Sequence, residues 1–189
     1  MPSLLIKQKQ IKIIFTGSVG AGKTEAIRQL SEIPVVSTDT KYTEGNNSKD
    51  KKTTTVAMDY GQISLNSTEK LHLYGTPGQR RFDFMSEVLT KGGLALVILI
   101  DNSTPNPLTD LNYYLKLNEN FLKNNPVVIA ITHTDLLALP SLNNYQQFLA
   151  KKNLDYPVMK MDTRQREQVI NVLEEVVNCL DSHQLKDFY

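Results

Sequence analysis

Apolar runs and amphipathic stretches alternate along this chain. Residues 11–16 form an apolar run that predicts a buried strand, and 22–31 has helical spacing that stops before Pro34. Residues 39–54 are polar and contain Gly45-Asn46-Asn47-Ser48, which predicts a mobile loop. Runs at 56–65 and 69–74 have strand character, and Asn66-Ser67 between them predicts a hairpin. Helical spacing at 81–90 ends at Gly92-Gly93. The continuous apolar run 94–100 then reads as a central strand of a parallel sheet. A helix over 108–122, a strand over 127–131 after Pro126, a helix over 142–151 and a strand over 157–161 follow. Val169, Ile170, Leu173, Val176, Val177 and Leu180 fall on one side of a last helix over 164–180.

Helices between strands impose right-handed crossovers and a covered, mainly parallel sheet. The expectation is an α/β fold with a mostly parallel six-stranded sheet, one antiparallel edge strand and helices on both faces. Ligands of such sheets bind beyond the carboxyl ends of the strands. Chemistry is therefore expected after Thr16, Tyr74, Ile131 and Met161.

The chain has 189 residues, enough for one domain over 1–189 with a sizeable core. A formal net charge of +1 gives no electrostatic reason to expect nucleic-acid or membrane binding. Cys179 is the only cysteine, which fits a reducing, cytoplasmic location. Neither a signal-peptide core nor a prenylation cysteine is expected, Pro2 stands where N-myristoylation needs glycine, and 94–100 is far shorter than the about 20 residues of a membrane span. No direct membrane anchor is expected.

The segment Gly17-Ser18-Val19-Gly20-Ala21-Gly22-Lys23-Thr24 fits G-x-x-x-x-G-K-[ST], between a predicted strand and a predicted helix. Its glycines let the backbone wrap phosphates, and its amides face them with the helix N-terminus. Lys23 is expected at the β- and γ-phosphates, and the Thr24 hydroxyl on Mg²⁺.

Three stretches in order carry a family resemblance: this phosphate loop, Thr55-Val56-Ala57-Met58-Asp59-Tyr60, and Thr76-Pro77-Gly78-Gln79-Arg80-Arg81-Phe82. The second resembles T-I-G-V-D-F of Rab proteins and the third their T-A-G-Q-E-R-F. The proline at 77 is similar to bacterial Ras-like GTPases related to the gliding-motility polarity switch. The resemblance implies a Ras-like P-loop fold that binds GTP and GDP with Mg²⁺ and hydrolyses GTP slowly. It implies Thr55 as a second metal ligand (Thr54 being the neighbouring alternative), the Gly78 amide on the γ-phosphate, and Gln79 orienting water. Regulatory partners follow by the same resemblance: an effector and an activator, with Roadblock-type proteins as candidates. The family usually carries an acid at the position of Gly75, where it holds Mg²⁺ through water.

The guanine-reading pattern N-K-x-D falls on Thr132-His133-Thr134-Asp135. A carboxylate at Asp135 can accept from guanine N1–H and its 2-amino group, a pair adenine lacks. His133 is expected to stack on the base, and Thr132 replaces the asparagine that tethers the phosphate loop. Asp162 and Thr163, where the family has S-A-K, are expected to offer backbone amides to guanine O6. Two other readings stand beside this one. One is a nucleotide-holding scaffold with little hydrolysis. The other is an ATPase in which Asp101, ending the apolar run 94–100, is the Walker B acid.

Overall fold

The computed structural model describes residues 11–44 and 52–186, with the side chains of 38–44, 52–57 and 183–186 outside the description. Their centre is a seven-stranded sheet in the order β2-β3-β4-β1-β5-β6-β7. The strands are β1 (Ile11–Gly17), β2 (Val36–Glu44), β3 (Lys52–Ser64), β4 (Lys70–Gly75), β5 (Ala95–Asp101), β6 (Val127–Thr132) and β7 (Val158–Lys160). β1, β4, β5, β6 and β7 are mutually parallel. β3 runs antiparallel to both of its neighbours.

The helices are α1 (Lys23–Leu30), α2 (Phe84–Thr90), α3 (Pro107–Leu117), α4 (Glu119–Leu122), α5 (Leu142–Ala150) and α6 (Arg166–Lys186). Two apolar layers sandwich the sheet. Ala26, Ile27 and Leu30 of α1 join Val169, Val172 and Val176 of α6 over one layer. Leu111, Tyr114 and Leu115 of α3 join Tyr145 and Leu149 of α5 over the other. β5 and β6 are buried between them on both faces, which is why their sequences read as unbroken apolar runs.

The sheet has seven strands rather than six. The polar segment expected as a loop over 39–54 is mostly an antiparallel ribbon, with Val36 opposite Tyr60 and Glu44 opposite Lys52. Residues 45–51 lie outside the described residues. A ribbon at a sheet's rim needs no apolar alternation to satisfy its backbone, and its threonines favour extended chain. The helix expected over 108–122 is two helices, because buried Asn118 turns its side chain inward. Its Nδ2 donates to the Tyr114 carbonyl at 2.8 Å and its Oδ1 accepts from Ser86 Oγ at 2.6 Å.

Candidate nucleotide-binding site

The carboxyl ends of β1, β4, β6 and β7 open on one edge of the sheet, as expected for chemistry after Thr16, Tyr74, Ile131 and Met161. The strand order puts the ends of β1 and β4 side by side and those of β6 and β7 further along. The site therefore has two ends.

At the first end, β1 runs into the loop 17–22 and α1 begins at Lys23. Gly22 holds φ 96° at the helix cap, and a Cβ there would lie 2.6 Å from Thr163 Cγ2, so only glycine fits. The loop and the first turn of α1 border a cavity of about 300 Å³ lined by Gly20, Gly22, Lys23, Thr24, Glu25 and Arg28. A larger one, about 460 Å³, opens at the other end of the strands between the start of β6 and α6, away from the phosphate loop and the strand-end residues.

Lys23 is buried, and its Nζ donates to the Gly17 and Ser18 carbonyls, each at 2.7 Å. Burial pushes its pKa down to about 8, against a smaller upward pull from the Asp59 carboxylate. An ammonium so placed gains from any anion that enters the loop.

Thr24 has an acidic companion that sequence reasoning missed. Its Oγ1 donates to Asp59 Oδ2 at 2.5 Å, and Ser37 Oγ donates to Asp59 Oδ1 at 2.8 Å. Asp59 lies on β3 directly opposite Gly75 on β4. A Cβ on Gly75 would lie 3.2 Å from Asp59 Cβ and 3.3 Å from its Oδ2. The Asp59 carboxylate thus sits against Gly75, in the space a side chain there would need. The signal was available in the hairpin register. Counting outward from the Asn66-Ser67 turn, with Ser64 opposite Lys70, brings Asp59 level with Gly75.

The segment after β4 lies on the phosphate loop. The Thr76 amide donates to the Phe15 carbonyl at 2.9 Å, and its buried hydroxyl to Thr16 Oγ1 at 2.9 Å. Gly78 approaches so closely that a Cβ would sit 2.5 Å from the Val19 nitrogen and 2.9 Å from Lys23 Nζ. Gln79 is exposed and precedes a 3-10 turn over Arg80–Phe82. Arg80 reaches away to α3, 3.6 Å from Asp110 and over the Tyr113 ring, while the Tyr113 hydroxyl donates to Asp83. Thr55 is inside β3, paired with Lys41 of β2, and its side chain is outside the description.

At the second end the geometry departs from several expectations. The buried Thr132 hydroxyl donates to the Ile100 carbonyl at 3.3 Å, so it tethers β6 to β5 and not to the phosphate loop. His133 has a left-handed backbone (φ 55°), with Nδ1 3.0 Å from Asp101 Oδ1. Its ring edge is engaged with that carboxylate. Asp101 Oδ1 also accepts from the Ser103 amide at 2.8 Å and hydroxyl at 2.6 Å, which closes its own turn. Asp101 is thus engaged with His133 and its own turn, while the carboxylate bonded to Thr24 is Asp59.

Asp135 projects from the turn after β6, and its Oδ2 accepts from Arg164 at 2.8 Å. Arg164 was not singled out by sequence. The Asp162 amide, expected to meet a base, donates instead to Gln168 Oε1 at 2.9 Å. The Asp162 carboxylate is held below the ordinary carboxylate range, chiefly by its hydrogen bond from Arg164. Thr163 is buried against Gly22 and joins the two ends of the site.

A family model described as "Conserved hypothetical ATP binding protein" matches residues 35–187, a span that begins after the phosphate loop. An uncharacterized protein of Methanocaldococcus jannaschii is 30% identical over 179 residues, covering 94% of this chain and 99% of that protein.

Proposed function

We propose, on the premise that the chain belongs to the family described as conserved hypothetical ATP binding protein, that it is a Ras-like guanine-nucleotide switch, one domain over 1–189, that slowly hydrolyses GTP to GDP and phosphate. The observation that carries the reading is the Thr24–Asp59 hydrogen bond beside the glycine loop and its buried lysine. A hydroxyl and a carboxylate next to a phosphate cradle suit Mg²⁺, which prefers oxygen ligands and is often held by one or two carboxylates together with substrate phosphates. Mg²⁺ bound there would neutralise charge on the terminal phosphates. Thr24 would hold it directly and Asp59 through water.

The loop amides and Lys23 bind the phosphates. Gly78 rests against the Val19 amide and the Lys23 ammonium, the donors a terminal phosphate would use. A triphosphate therefore displaces the segment 76–79 and gains the Gly78 amide as a donor. The Thr55 hydroxyl would join the metal when triphosphate is bound, as the resemblance to Ras-like proteins implies. Two such contacts, made with triphosphate and lost with diphosphate, give a two-state switch.

Gln79 orients the attacking water, because its amide can both donate and accept. Arg80 is committed to α3 and Arg81 lies over the Phe82 ring, so neither is an arginine finger and turnover is slow. An activator, with Roadblock-type proteins as the candidates, and an effector complete the cycle in the cytoplasm. Gln79→Leu is expected to lower single-turnover GTP hydrolysis on the order of a hundredfold with little change in affinity. Equal rates in both proteins would leave the scaffold reading.

Base choice rests on Asp135, at the tip of β6 beside the loop that carries Thr163. A second reading, adenine nucleotide in the same cradle, is favoured by the family's description. It needs no change at the phosphate end. Identifying the base released from the purified, denatured protein separates the two.

A further inference from the structure

Asp135 is a reading group on an exposed turn, and a carboxylate there rotates cheaply. Guanine offers two parallel donors, so both oxygens must face it in one plane. Something has to fix that plane before the base arrives, or ordering the side chain subtracts from selectivity.

Arg164 has the geometry to do so. Its guanidinium grips Asp162 side-on, with Nε to Oδ1 and NH2 to Oδ2 at 2.8 Å each, and its own amide donates to the same Oδ1 at 2.9 Å. Asp162 is in turn held through its amide by Gln168 of α6. The guanidinium is thus fixed in its own loop before it extends NH2 to Asp135 Oδ2 at 2.8 Å, linking the loop after β7 to the turn after β6. One donor on Oδ2 leaves Oδ1 and the remaining lone pair of Oδ2 free to accept.

We infer that Arg164 is a positioning residue for base selection: anchored by Asp162, it holds the Asp135 carboxylate in the orientation that reads guanine. The inference rests on the guanine reading of Asp135 proposed above. It gives Asp135 a partner from a different loop of the same strand-end edge.

The test is equilibrium competition of GTP, ITP, ATP and inorganic tripolyphosphate against a labelled GDP, on the full nucleotide-stripped chain with Mg²⁺. Arg164→Ala is expected to shrink the GTP-over-ATP preference about tenfold, the scale of one charged hydrogen bond, and to leave tripolyphosphate affinity unchanged. Asp162→Ala is expected to reproduce that loss, because the grip on the guanidinium is gone. Arg164→Lys should restore part of it, since lysine supplies charge but not the fork. ITP lacks the 2-amino group and should lose less than GTP in Arg164→Ala. Unchanged tripolyphosphate affinity also certifies that the variants fold. A wild-type preference for GTP that Arg164→Ala leaves intact, or enlarges, overturns this inference alone. A wild-type protein with no preference for GTP overturns the guanine reading and this inference together.

Discussion

The two ends of the nucleotide site are built from different materials. At the phosphate end the work falls to backbone and buried groups: a glycine loop, a helix start, a buried lysine, and a threonine bonded to a carboxylate from the next strand. At the other end, where the proposed reading puts the base, side chains of the strand-end turns and loops pair with one another. Arg164 and Asp135, with side chains 65% and 49% exposed, pair with each other, and His133 pairs with Asp101. Phosphate binding is thereby tied to the fold itself. On the proposed reading base choice rests on turn and loop side chains, and the departures from the resembled guanine pattern lie at that end.

The contrast breaks most sharply at Lys23. Lys23→Met should weaken GTP and tripolyphosphate alike, by roughly 30- to 1,000-fold, the scale of a lost buried charged contact. A competition titration with both ligands checks this. If only GTP weakens, the division into two ends fails.

Next in size is Asp59. Asp59→Ala should cost roughly 10- to 100-fold in triphosphate affinity with Mg²⁺ and little in EDTA, the scale of one or two charged hydrogen bonds. The substitution Gly75→Asp alone should crowd a second carboxylate against the first. Combined with Asp59→Ala it should recover the Mg²⁺ dependence by returning the acid to β4. Binding titrations at a series of Mg²⁺ concentrations measure all three.

The most gradual effect is that of pH. Lys23 has a pKa lowered to about 8 by burial, and a bound phosphate favours its charged form. Binding therefore takes up a proton only above that value. Triphosphate affinity should be flat below about 8 and fall, approaching tenfold per unit, as pH rises beyond it. For the empty protein the sign is opposite. The unfolded chain binds the extra proton between about 8 and the ordinary lysine value of 10.5, so this group's contribution to stability rises with pH there. Affinity titrations at pH 7 to 10 should show the fall in wild type and not in Lys23→Met.

What the sequence revealed follows the same division. The phosphate loop is contiguous, and its spacing against a strand and a helix made it legible without a structure. Buried strands such as β5 and β6 were legible because burial on both faces leaves an unbroken apolar run. β2 was not, since a polar ribbon looks like a loop until its backbone partner is known. Asp59 stands within the stretch 55–60, yet its contact with Thr24 depends on a register that places it across from Gly75. Arg164 depends on two loops meeting, and no spacing rule encodes that. Asp135 was legible as a residue, but not as one member of a pair.

The most direct test of the account is equilibrium competition of GTP and ATP for the nucleotide-stripped chain in Mg²⁺, for wild type and Asp135→Ala. The account predicts that GTP displaces a labelled nucleotide at a clearly lower concentration than ATP, and that Asp135→Ala removes the difference while tripolyphosphate still competes. ATP binding as tightly as GTP, or more tightly, in the wild-type protein would contradict it.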